Sequence, residues 1–221
     1  MGVIILLIAV LTAIVFAWLS RQRLTSKPWL EEGAIGEFPG TGASEVPAAK
    51  LGLGVLVAVM AALFSLFLSA YAMRMQLADW GALPKPALLW VNTGILVLSS
   101  AGLEWARNAA DRDDMDGVVV GMLAGGVAAL AFLVAQLVAW QQLAVAGYFV
   151  ATSPASAFFY LLTAVHGLHL LGGMAALGRA ASKLWHGLPL AELRASVELC
   201  AIYWHFLLLV WFVLFALLLL T

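Results

Sequence analysis

Long apolar runs separated by short polar stretches are the dominant pattern of this chain. Segments 3–19, 51–73, 86–106, 117–140, 155–178 and 199–220 each reach or approach the roughly 20 residues that a helix needs to cross a bilayer core. Segment 51–73 contains no charged residue. Pro86 and Pro154 stand at or just before the start of a run, where a missing backbone N–H removes no helical hydrogen bond. Between the first two runs, 28–49 is rich in proline, glycine and acids and reads as a linker. The pattern predicts an all-α polytopic bundle. An N-terminal transmembrane helix occupies 1–20, a cytoplasmic linker 21–50, and a bundle of five helices 51–221.

Composition excludes water as the main solvent. Of 221 residues, 64% are hydrophobic and 10% charged, against about 25% charged in a soluble domain. The mean hydropathy is +1.03. A net charge of −1 offers no basic surface for nucleic acid. One cysteine, Cys200, lies in an apolar run, so no internal disulfide or cysteine-based metal motif is available. The apolar start has no charge before it and is followed by Arg21 and Arg23, the charge order of a retained anchor rather than a cleaved signal. With the N-terminus outside, inner segments hold Arg21, Arg23, Lys27, Lys50, Arg107, Arg112, Arg179, Lys183 and Arg194. Outer segments hold Arg74 and Lys85. This asymmetry places both termini on the periplasmic side.

Several residues stand out within the predicted spans. Gly117, Gly121 and Gly125 recur every four residues, the spacing that lets two helix backbones approach closely in lipid. His166 and His169 share one helix face, extended by Thr163 and Gly173; Glu198 and His205 share a face of the last span. Ionisable groups in lipid are costly, so these faces should point into protein. Structural hydrogen bonding is the plainest role for them. Haem ligation by His205 with His166 or His169, metal binding, and proton or lipid contact are the functional alternatives. A metal site normally needs three or four ligands, and no Cys, Asp or Glu cluster completes one. Glu104 reads as a helix-end acid near inner-leaflet water. Trp140, Tyr148 and Trp185 read as interfacial aromatics, while Trp204 and Trp211 lie deeper, against protein or lipid tails. No phosphate-binding glycine loop, paired carboxylates or activated nucleophile is present. Nor is there the repeated pair of broken helices of a transporter.

Three stretches resemble subunit III of haem–copper oxidases. LWVNTGILVLSSAGLEWA (89–106) is similar to that family's asparagine–threonine helix. FFYLLTAVHGLHLLGG (158–173) is similar to its histidine–glycine–leucine–histidine helix. ELCAIYWHFLLLVW (198–211) is similar to its final helix, with Tyr203, Trp204, His205 and Phe206 as the core. Gln136, Trp140 and Gly147 also fall in place, and the likeness runs from about residue 55 to the C-terminus. The resemblance implies a bacterial subunit that contains no haem or copper itself, packs against oxidase subunits I and II, which carry those cofactors, and binds phospholipid. It would be part of an oxidoreductase complex without a catalytic centre of its own, within the inner membrane and in some cases a larger respiratory supercomplex. Lys183 and His205 are the implied lipid contacts; His166, His169 and Glu198 are the implied buried structural residues. The chain departs from the family at three acids, where Met60, Ala139 and Leu208 stand instead, which weakens any role in collecting protons. The extra helix 3–19 is an addition to the five that match. A homologous subunit of a quinol oxidase or nitric oxide reductase, or a haem-binding membrane anchor, is the competing reading.

The orientation is open to direct test. Cysteines introduced at Ser44 and Ser153 should react with an impermeant reagent from opposite sides of the membrane. Labelling of both from one side contradicts six spans.

Overall fold

The structure is a computed structural model that describes residues 48–81, 83–84, 87–186 and 190–220. The expected helix 3–19, nearly all of the linker after it, and Pro86 lie outside the described residues. Among those described, five helices are long and apolar enough to cross a membrane. They are α1 (Ala48–Arg74), α2 (Leu88–Asp111), α3 (Met115–Val145), α4 (Pro154–Trp185) and α5 (Leu190–Leu220). A helix suits a bilayer because it satisfies its own backbone polar groups where no water can. Most of them run past the apolar segments that predict them. The polar ends around Asp111, Lys183 and Arg194 continue the helices beyond the hydrophobic stretch.

The chain divides into two compact units, 1–72 and 73–221. In the first, α1 buries Met60, Phe64, Leu68 and Tyr71, all at 4% exposure or less. Their spacing keeps them on one face. In the second, α2, α3, α4 and α5 form a ring in which each packs against the next and α5 closes onto α2.

Local chemistry fixes the helix ends. Asp114 caps α3 by accepting from the Gly117 N–H at 3.1 Å. Asp113 beside it takes φ 57°, a left-handed conformation that aspartate tolerates better than most residues. Ser153 and Ser156 form a reciprocal capping box at the start of α4, with Pro154 at the first helical position. At the end of α3, Gly147 has φ 88°. The Tyr148 N–H reaches Leu143 O at 2.9 Å and the Gly147 N–H reaches Ala144 O at 3.0 Å. This pairing closes the last turn.

The α2–α3 pair is the tightest contact. A Cβ at Gly121 would lie 2.6 Å from Ala106 N and 2.7 Å from Gly102 O; one at Gly102 would lie 2.8 Å from Gly125 N. The two backbones touch because these positions lack side chains. In the ring's core, Phe132 of α3 meets Trp211 of α5 edge-on at 4.8 Å between centroids. His166 of α4 lies 5.2 Å from Trp211 and 5.8 Å from Phe132.

Gly121→Ala should lower the midpoint of thermal unfolding in mild detergent, at a cost of about 1–3 kcal/mol for overpacking. Gly172, which has open space where its Cβ would stand, is the control. Gly172→Ala should change stability by less than about 0.5 kcal/mol. Equal effects of the two substitutions would refute the close backbone contact.

Candidate functional site

The polar side chains buried in the ring connect helices to one another. The Ser99 hydroxyl on α2 donates to Gly125 O on α3 at 2.7 Å and accepts from the Trp204 indole N–H on α5 at 2.8 Å. One oxygen thus joins three helices. Two turns away, the Trp211 indole donates to Thr93 Oγ1 at 3.0 Å. The Trp140 indole on α3 donates to Thr163 Oγ1 on α4 at 3.0 Å, and that hydroxyl donates to Phe159 O at 2.7 Å. Asn92 Nδ2 donates to Gln136 Oε1 at 3.0 Å with both residues buried. Each such bond removes a polar group from an environment that cannot solvate it.

The expected site residues divide between core and surface. Gly117, Gly121 and Gly125 lie buried on α3, and a Cβ at each would meet residues of α2. His166 is fully buried among aromatic rings, next to Thr163 and on the same face as Gly173, where a Cβ would stand 2.8 Å from Tyr203 and Trp204. His169 is half-buried and its Nδ1 bonds to Val165 O at 2.8 Å. The Tyr203 hydroxyl donates to His169 O at 3.0 Å. Glu198 is half-buried. Trp204 and Trp211, expected against protein or lipid tails, are both fully buried in protein.

His205 faces away from His166 and His169. Its Nδ1 bonds to Ala201 O at 2.6 Å and its Nε2 points to Glu104 Oε2 on α2 at 3.7 Å. Arg107 Nη1 lies 3.5 Å from the same carboxylate oxygen. Glu104 is therefore placed beside both Arg107 of its own helix and His205 of α5. Tyr203 and His205 point to α4 and α2 respectively, so the structure does not bring His169 and His205 onto opposite sides of one space.

Lys183 lies near the C-terminal end of α4 and donates to Ser196 Oγ of α5 at 3.1 Å. Ser196 is nine residues before His205, so His205 lies roughly 13 Å deeper along the helix axis. Close by, Arg194 ties α5 to the α2–α3 turn: Nε donates to Ala110 O at 3.1 Å and Nη2 to Asp113 Oδ1 at 2.9 Å. Two shallow apolar grooves lie against α3. One of about 460 Å³ includes Leu88, Val127, Leu130 and Val134; the other, of about 410 Å³, includes Leu137, Trp140, Phe149 and Tyr160. Among the described residues, no group of three or more His, Cys, Asp or Glu is placed to hold a metal ion.

Sequence reasoning missed three features: Ser99 as a junction, the Asn92–Gln136 bond and the Glu104–His205 pair. Asn92 and Gln136 were visible as parts of the family pattern, but nothing in one helix identifies its partner on another. The Asp114 cap had a local signal, an acid immediately before an apolar run.

A family model described as cytochrome c oxidase subunit III matches residues 50–220, which include nearly all of α1 and the whole of α2–α5. A similar protein is cytochrome c oxidase subunit 3 of Thermostichus vulcanus. It is 29% identical over 157 residues, which cover 71% of this chain and 77% of the relative.

Proposed function

The chain belongs to the cytochrome c oxidase subunit III family, and from that premise we propose that it is a non-catalytic subunit that supports the oxidase's catalytic subunit and holds phospholipid beside it. Family membership makes it a multi-pass membrane subunit of a haem–copper oxidase. The supporting role rests on one observation above all. Ser99, Thr93 and Thr163 link the helices through buried and part-buried hydrogen bonds with Gly125, Trp204, Trp211 and Trp140. Groups used in this way hold a shape and are not available to a substrate.

The proposal extends to partners, lipid and location. Subunits I and II would carry the haem and copper. Lys183 sits where an ammonium near the inner membrane surface can meet a lipid phosphate, with Arg179 one turn away. Acyl chains fit the open apolar grooves on α3. His205 lies too deep along α5 to share that phosphate. The positive-inside asymmetry supports a bacterial inner membrane with both termini periplasmic. His166, which is buried, and His169 and Glu198, which are half-buried, are read as structural.

Purification in mild detergent tests both parts. The chain should co-purify with large membrane subunits whose spectra contain haem. Lys183→Ala should retain those subunits but lose bound anionic lipid, as read by mass spectrometry. Purification without any haem-containing partner would refute the oxidase assignment, and unchanged lipid in the variant would refute the role of Lys183.

A further inference from the structure

The seam between α2 and α5 carries an ionisable pair at a depth where lipid tails cannot solvate it. Glu104 stands seven residues before the end of α2. His205 stands eleven residues beyond Arg194, the arginine that holds the α2–α3 turn. At 1.5 Å per residue the pair lies roughly 10–16 Å above that inner charged layer, past the interfacial region of about 5–7 Å and within the edge of the hydrocarbon core. Yet the Glu104 and His205 side chains are 35% and 48% exposed. Ionisable side chains at such depth otherwise face a bundle interior or an aqueous cavity.

The geometry also says what is missing. A carbonyl only accepts, so the bond to Ala201 O puts the hydrogen of His205 on Nδ1. In the neutral ring, Nε2 is then a bare acceptor 3.7 Å from Glu104 Oε2, itself an acceptor. Arg107, at 3.5 Å, approaches the carboxylate from its own helix. A proton on Nε2 would turn the contact into an ion pair, which lipid tails solvate no better. Either form calls for polar cover, and the neutral form specifically for a donor. The surrounding surface suits a helix. Trp90, Val97, Trp105 and Phe212 are 62%, 39%, 56% and 47% exposed. Ala101 is exposed between them, and Gly94 has open space where a Cβ would stand, so another backbone can come close.

We propose that this seam receives a membrane helix of a partner subunit, and that this helix brings a hydroxyl, amide or basic side chain to Glu104 and His205 as hydrogen-bond donor. The inference rests on the reading of the chain as an oxidase subunit and adds which face is covered and by what chemistry.

The test uses the full chain in its native membranes. Benzoylphenylalanine introduced at Ala101 or at Phe212 should, on irradiation, form an adduct with another oxidase subunit. The same probe at Leu168, 66% exposed on α4, should form little. The double variant Glu104→Leu/His205→Leu should reduce the Ala101 adduct about tenfold, the effect of losing two interhelical hydrogen bonds. The position scan is made without those substitutions and so stands even if the double variant fails to fold. An adduct only with lipid, with a second copy of this chain or with its own residues 1–47 would overturn the proposal. So would partner adducts arising from Leu168 instead. If the haem-containing subunits still co-purify in those cases, the proposed function survives and only the docking face is wrong. An adduct with a membrane chain outside any oxidase would overturn both.

Discussion

The direct backbone contact between α2 and α3 sets the terms for the rest of the ring. Gly121 and Gly125 bring α3 so close to α2 that the Ser99 hydroxyl reaches Gly125 O. In lipid there is no hydrophobic drive to bring apolar helices together, so contact area and interhelical hydrogen bonds must do it. A side chain at either glycine would separate the backbones and pull the Ser99 oxygen away from its acceptor. That oxygen is also the acceptor for Trp204, so the position of α5 depends on the spacing of two other helices. Trp204 in turn lies against Gly173 of α4, which closes the ring. The arrangement is a sequence of dependent contacts that begins with the two glycines Gly121 and Gly125.

What could be read in the sequence was whatever a single helix records about itself. The four-residue glycine repeat announced a close contact, and the stripe Thr163, His166, His169, Gly173 announced an inward face. In the structure Gly121 and Gly125 lie against α2, and Thr163, His166 and Gly173 are buried while His169 is only half-buried. The identity of the neighbour was not legible, because it depends on which helix lies opposite and in what register. Glu104 shows this well. Counted from the end of its own run, it looked like an acid near water; measured against α5, it stands beside His205, eleven residues from the Arg194 clamp. Glu198 and His205 share a face of one helix by spacing, but the acid that His205 meets comes from another helix. Hydropathy also cut the helices short. α5 begins at Leu190 rather than near 199, because its first turns carry Glu192, Arg194 and Glu198, polar residues that suit a helix rising out of the apolar layer.

The division between core and surface bears on function. In the core, the indole N–H groups of Trp140, Trp204 and Trp211 donate to the hydroxyls of Thr163, Ser99 and Thr93, and His166 is enclosed by Phe132 and Trp211. At the surface, Glu104, Arg107 and His205 remain partly exposed along the α2–α5 seam, and Lys183 near the C-terminal end of α4 is bonded to Ser196. A subunit organised this way acts through what it touches. Its core keeps the outer faces in register, and those faces are where the proposed partner and lipid would meet it. At two of the three positions where the resemblance would place acids, Met60 and Ala139 are buried apolar side chains.

The claim that the chain acts by packing and not by chemistry is tested most directly by following oxygen consumption over time. Two preparations of the oxidase, with and without this subunit, are compared at matched haem content. The account predicts similar initial rates, followed by progressive inactivation in the preparation that lacks the subunit. An immediate and complete loss of activity, with the catalytic subunit intact, would contradict it.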